Sequence, residues 1–349
     1  MVRTLGILAV LVLALGCDAS PPSLQEQPPP VRAVAPAPTP TAPPAPEPPV
    51  PLDAAQQAVW ERLHHATLRA AEAPSWERST ERFPENGAPW MRSRAWYVVD
   101  EDTGEVISSK RSEEVRSIAS ITKLVSTMVW ADAVVDPDME LTLRREDKEF
   151  LQVTPSHLRV GGRYRVGDLF YSTLLASDNR ASVLLVRSTG LPMEAFVAAM
   201  NHRARALKLD SLEFVDPTGI SEGNKATARD AARLLSAAAV HPVIGPAMLV
   251  KEHRFPRLDR AVTVGARLTN KLAHMNHWRV GGAKTGFTNR AGYCLVLRTE
   301  IAGRNLVVAL LGGRSAKTRY NDSAQLRTWL EARAAASRPP AGENSAAGG

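Results

Sequence analysis

Ser117-Ile-Ala-Ser-Ile-Thr-Lys123 runs directly into apolar residues at Leu124, Val125, Met128, Val129 and Ala131. That spacing predicts a helix with Ser120 and Lys123 in its first turn. Positions three apart share a helix face, so the hydroxyl and the amine can touch. A serine becomes a nucleophile when a base sits beside it, and a lysine is that base once its surroundings keep it neutral. An ordinary lysine is protonated at pH 7, so half-neutrality needs a drop of about 3–4 pKa units, on the order of 5 kcal/mol. Burial and a second ammonium both push that way. Backbone N–H groups at a helix start favour negative charge as well. On its own the spacing is more often that of a capping serine and a solvated lysine on an ordinary core helix.

Two later stretches change that balance. Asp168 is predicted to cap an apolar helix over Leu169 to Leu175. The helix breaks at Ser177-Asp178-Asn179, and another starts near Ala181. A short polar loop between buried helices aims its side chains rigidly. Further on, Trp278-Arg-Val-Gly-Gly-Ala-Lys-Thr-Gly286 reads as a strand that carries Lys284, Thr285 and Gly286. A glycine there lets a substrate backbone lie against the strand edge.

Around these motifs, Ala95–Asp100 and Glu105–Ser108 form a hairpin about a turn at Asp102-Thr-Gly104. Asp53 caps a helix to about Ala73, with Val59, Leu63, Ala66 and Ala70 on one stripe; His64 and His65 read as solvated. Pro192 opens a helix, 213–219 is loop, and Thr227 caps a helix through Leu234. Strand character returns at 261–267, then at 292–299 and 304–311 as a closing hairpin, before a helix over 316–335. Strands at both ends with helices between predict an α+β fold: one antiparallel five-stranded sheet flanked by helices, with an inserted helical lobe. The three motifs would meet at the seam between the lobes, where clefts form.

The amino end is of another kind. Residues 1–16 carry Arg3 and then an apolar core of about a dozen residues, too short to span a bilayer, and read as an export signal. Ala14-Leu15-Gly16-Cys17 resembles a bacterial lipobox, which makes Cys17 the expected lipidation site. Residues 17–52 hold over half of the 26 prolines and read as an extended disordered linker. Residues 53–89 are a helix and lead-in, 90–335 the folded domain, and 336–349 a disordered tail. The only other cysteine, Cys294, is expected to be a buried apolar residue without a disulfide partner. The formal charge is +7, without basic runs interleaved with aromatics, which argues against nucleic acid.

In order, Ser-x-x-Lys, Ser-Asp-Asn and Lys-Thr-Gly resemble the signature of penicillin-binding proteins and serine β-lactamases. Ile118–Leu124, Phe214-Val-Asp-Pro-Thr-Gly-Ile220, Lys284–Leu295 and Leu311-Gly-Gly-Arg314 narrow the resemblance to the D-alanyl-D-alanine carboxypeptidase and endopeptidase family, over roughly residues 90–335. It implies a penicillin-binding transpeptidase-like fold. It implies Ser120 as nucleophile, Lys123 as its base and Ser177 as a proton carrier to the leaving amine. Asn179, Lys284, Thr285, Gly286, Phe287 and Arg319 would bind substrate, and the Ser120 and Phe287 N–H groups would form an oxyanion hole. Peptidoglycan stem peptides and β-lactams are the implied partners, together with a membrane through the amino-terminal lipid, in a monomer of the cell envelope. No cofactor or metal is implied.

Phe287, with the absence of a second β-rich domain, resembles the endopeptidase branch, which cuts D-Ala–diaminopimelate cross-links. Carboxypeptidase action on pentapeptides is the alternative. A class A β-lactamase would need a glutamate four residues before an asparagine, and four past Glu213 stands Pro217. A penicillin sensor or wall-binding module would keep Ser120 but turn over poorly. A metal peptidase would rest on His274 and His277, which lack a clear third ligand.

Overall fold

A computed structural model describes residues 44–79, 87–149 and 155–337. The expected export signal, Cys17 and most of the linker lie outside the described residues, as do residues 338–349 of the expected tail.

The chain begins with α1 (Ala54–Leu68), then β1 (Ala95–Asp100), β2 (Val106–Lys110) and β3 (Arg116–Ser117). A 3-10 turn, Ala119–Thr122, leads into α2 (Lys123–Asp132). The helical lobe follows: β4 (Glu140–Thr142), α3 (Glu146–Glu149), β5 (Arg163–Arg165), α4 (Val166–Leu174), α5 (Asn179–Ser188) and α6 (Met193–Ala206). Next come β6 (Lys225–Ala226), α7 (Ala228–Val240), α8 (Ile244–Met248), β7 (Glu252–Arg257) and β8 (Val262–Arg267). The fold closes with β9 (Arg279–Thr288), β10 (Gly292–Ile301), β11 (Arg304–Gly313) and α9 (Thr318–Ala336).

The main sheet runs β2-β1-β11-β10-β9, antiparallel throughout, so its two early and three late strands meet as expected. Successive side chains on a strand point to opposite faces. In β1, Tyr97 and Val99 enter a core shared with Leu124, Val125 and Leu234 of α2 and α7. Trp96 and Val98 enter a second core with Leu326 and Leu330 of α9. Two helical layers therefore cover both faces, which explains why β1 and most of β10 and β11 are buried. β9 is the outermost strand at one side, and the Ser120 turn packs against it.

Several local expectations are corrected. The first helix has the expected cap, with Asp53 Oδ1 accepting the Gln56 N–H at 2.9 Å, but it ends at Leu68. His64 is buried, not solvated, and stacks on the His202 ring at 5.2 Å. Asp168 does not cap α4; it sits inside the first turn, 2.7 Å from His253 Nε2. The strand at 262–267 joins no large sheet, because it pairs with β7 in a separate hairpin. Ala336 still belongs to α9.

Candidate active site

Ser120 stands in the 3-10 turn immediately before α2, one step earlier than the helical pattern predicts. Ala119 before it takes a left-handed φ of 48°, a strained setting for a residue with a side chain. Two glycines hold this turn from either side. A Cβ on Gly219, itself at φ +82°, would lie 2.1 Å from the Ala119 carbonyl oxygen. A Cβ on Gly286 of β9 would lie 2.8 Å from the Ile118 oxygen and 3.1 Å from the Ser120 nitrogen. Only backbones without side chains come this close.

Lys123 Nζ lies 3.0 Å from Ser120 Oγ, 2.5 Å from Asn179 Oδ1 and 2.5 Å from the Thr218 carbonyl oxygen. Its side chain is fully buried. Burial pushes its pKa from 10.5 down to about 7, against the pull of the Asp216 and Asp178 carboxylates. A neutral amine has two N–H donors and one lone pair. The two carbonyl-type oxygens take both donors, so the lone pair is left to face the Ser120 hydroxyl.

Asn179 is aimed by the helix behind it. Asp178 caps α5, its Oδ1 accepting the N–H groups of Arg180 at 2.9 Å and Ala181 at 3.2 Å. Asp178 Oδ2 accepts from Ser156 at 2.6 Å. Ser177 carries a left-handed φ of 59° and turns its hydroxyl toward β9. There Lys284 Nζ donates to Ser177 Oγ at 2.7 Å and to the Thr285 oxygen at 3.2 Å. Burial holds Lys284 well below the ordinary lysine value, with help from the charges of Lys123 and Arg319. Thr285 Oγ1 shares a 2.6 Å hydrogen bond with Thr269 Oγ1.

Ser120, Ser177, Asn179, Thr285, Gly286, Phe287 and Arg319 all line one cleft of about 640 Å3, with Lys123 and Lys284 buried behind it. Arg319 Nη1 donates to the Gly286 and Cys294 oxygens, and its buried Nε has no acceptor. Phe287 is half exposed and stacks on Tyr293 at 4.2 Å. Among the described residues no carboxylate lines the cleft, and Glu213 is exposed elsewhere, its backbone paired with that of Lys225. His274 Nε2 is bonded to the Leu268 oxygen, and no three potential metal ligands converge among the described residues.

Sequence reasoning missed the residues that shape this site from behind. The buried Asp216 accepts from the N–H groups of Thr218 at 2.6 Å, Gly219 at 2.8 Å and Ser221 at 2.8 Å, and from Asn224 Nδ2 at 2.5 Å. It thereby fixes the Thr218 carbonyl that holds Lys123. The signal was present in Asp216-Pro-Thr-Gly219, since aspartates in such loops bond backbone N–H groups just ahead.

A sequence profile of the family described as D-alanyl-D-alanine carboxypeptidase matches residues 84–315. A D-alanyl-D-alanine endopeptidase of Escherichia coli is 34% identical over 243 residues, covering 70% of this chain and 78% of that protein. A protein of the same name from Pseudomonas aeruginosa is 35% identical over 251 residues, covering 71% and 81%. In three dimensions, a mutant Streptomyces DD-transpeptidase superposes with a TM-score of 0.63 at 24% identity, covering 70% of this chain and 99% of that one.

Proposed function

The chain belongs to the D-alanyl-D-alanine carboxypeptidase family, and from that premise we propose that it is a serine DD-peptidase that opens D-Ala–diaminopimelate cross-links in bacterial peptidoglycan. The observation that carries this reading is the contact of the fully buried Lys123 Nζ with Ser120 Oγ at 3.0 Å. Ser120 attacks the carbonyl carbon of the penultimate D-alanine, and Lys123 Nζ takes its proton. The leaving amine receives a proton through the Ser177 hydroxyl, which Lys284 holds in place. Water then hydrolyses the acyl-serine ester. A β-lactam enters the same path and remains as an adduct.

The 34–35% identical relatives, both named endopeptidases, favour cross-link cleavage. A second reading, carboxypeptidase action, is favoured by Arg319, whose guanidinium lines the cleft where a free terminal carboxylate would sit. Purified cross-linked dimers and pentapeptide monomers, given to the enzyme in parallel and resolved by mass spectrometry, separate the two. Endopeptidase action predicts faster loss of the dimer; trimming of the pentapeptide alone would overturn it. Ser120→Ala protein must form no adduct with a fluorescent penicillin. We further read residues 1–16 as the export signal, Cys17 as the lipid-bearing residue and residues 18–52 as a tether to the domain at 90–335. Cys17→Ala, fractionated with the membrane, tests the anchor; undiminished membrane association would count against it.

A further inference from the structure

At one end of the five-stranded sheet β2, β11 and β9 finish while β1 and β10 begin. Side chains just beyond those ends wall three hollows of about 740, 580 and 400 Å3. Arg94 and Arg116 border all three, so the hollows form one groove. The smallest shares Phe287 and Asn289 with the catalytic cleft. Strands lie about 4.8 Å apart, so a groove crossing five of them is about 20 Å long, or about six extended residues.

Among the described residues, eight basic and two acidic side chains line this groove. Glu114 pairs with Arg116, and Glu222 reaches Arg290 at 3.7 Å in an exposed pair of little weight. Among the described residues, Arg92, Arg94, Arg111 and Arg314 have no carboxylate partner. The buried Arg116 Nε has no acceptor. Gly312 keeps the floor open, since a Cβ there would lie 2.9 Å from Arg94 Cβ and 3.2 Å from Arg116 Nη2. Guanidinium groups crowded without counter-charges repel one another and focus a field that anions relieve. Their planar forks suit carboxylates.

We propose that this groove docks a carboxylate-bearing peptide arm of the substrate, extending past Phe287 from the bond cut at Ser120. The proposal rests on the DD-peptidase reading and deepens it. A short peptide terminus leaves the groove empty, whereas a cross-linked substrate brings a second arm long enough to fill it.

The test uses full-length Ser120→Ala protein, which binds but cannot cleave, and a labelled cross-linked stem-peptide dimer with its carboxylates free or amidated. Fluorescence anisotropy should find the free-carboxylate dimer bound about tenfold tighter, with that advantage fading as salt is raised. Adding Arg94→Gln and Arg314→Gln should abolish the preference. Adding Arg94→Glu and Arg314→Glu should transfer it to a dimer whose carboxylates carry aminoethyl amides, a gain that misfolded protein cannot produce. Equal binding of the free and amidated dimers, or a preference indifferent to these arginines, overturns the proposal. So does tighter binding of a poly(glycerol phosphate) chain, which would make the groove a phosphate site. Wild-type acylation by fluorescent penicillin reports on the DD-peptidase reading separately: its absence sinks that reading, while its presence with arginine-independent binding sinks the groove alone.

Discussion

Lys284 Nζ donates to Ser177 Oγ across 2.7 Å and so ties the outermost strand of the sheet to the corner of the helical lobe. The two residues are 107 positions apart in sequence, and the cleft lies between the elements that carry them. Removing the hydroxyl in Ser177→Ala breaks the tie and, on the proposed mechanism, the proton route with it. Acylation by a β-lactam should fall by about 10²–10⁴-fold, the range for loss of a general acid–base group. Stopped-flow measurement of acylation reads this, and a rate within a factor of a few of wild type would remove Ser177 from the proton path.

The depressed Lys123 sets a pH dependence. Acylation should rise with pH through an apparent pKa near 7, as the amine loses its proton. Lys123→Arg, which cannot become neutral, should lose the activity rather than shift the curve. Rate profiles from pH 5 to 9 decide the point.

The same shift acts on stability. Between about 7 and the ordinary lysine value of 10.5, the unfolded chain holds the Lys123 proton and the folded chain does not. Folding stability from this group therefore rises with pH across that window, by about 1.4 kcal/mol per unit at most. Below pH 7 both states hold the proton, and the full cost of burying the charge remains. Urea unfolding of wild type and Lys123→Met at pH 6, 8 and 10 should show the wild type gaining on the variant as pH rises.

Gly219→Ala places a Cβ 2.1 Å from the Ala119 oxygen at a left-handed φ. Backbone must move, at a cost of about 2–4 kcal/mol, and the Ser120 turn moves with it. Both the denaturation midpoint and the acylation rate should drop. A variant that kept its midpoint would show that the turn relaxes more easily than the packing allows.

Asp216→Ala leaves the N–H groups of Thr218, Gly219 and Ser221 without their acceptor. The expected loss is about 3–5 kcal/mol of stability, with a larger proportional loss of acylation because the Thr218 carbonyl no longer fixes Lys123. Thermal melts and penicillin acylation on the same sample separate the two effects.

Ser120 with Lys123, and Lys284 with Thr285, were legible because their chemistry is local: a side-chain type at a fixed spacing on one element. The sheet was legible because β1, β11 and the Cys294–Leu297 part of β10 carry apolar residues on both faces. The Thr218 carbonyl was not, since backbone oxygens have no letter of their own and their direction follows from tertiary packing. β7 escaped because Pro256 interrupts Glu252–Arg257, and proline is tolerated only where a strand is short of neighbours. His64 looked like a surface residue until His202, 138 positions away, supplied its stacking partner. The arginine groove is assembled from segments around residues 92–94, 111–116, 290 and 314, each unremarkable when read alone.

β9 ends the order of strands, and the Ser120 turn packs beside its Gly286. A ligand stretched along that margin would complete the ladder as a transient sixth strand. Occupancy would then be written into the rate at which deuterium replaces those amide protons of residues 286–288 that point away from β10: rapid in the empty protein and slowed while an arm is held there. Reporter labels and cleavage are both dispensable for such a measurement.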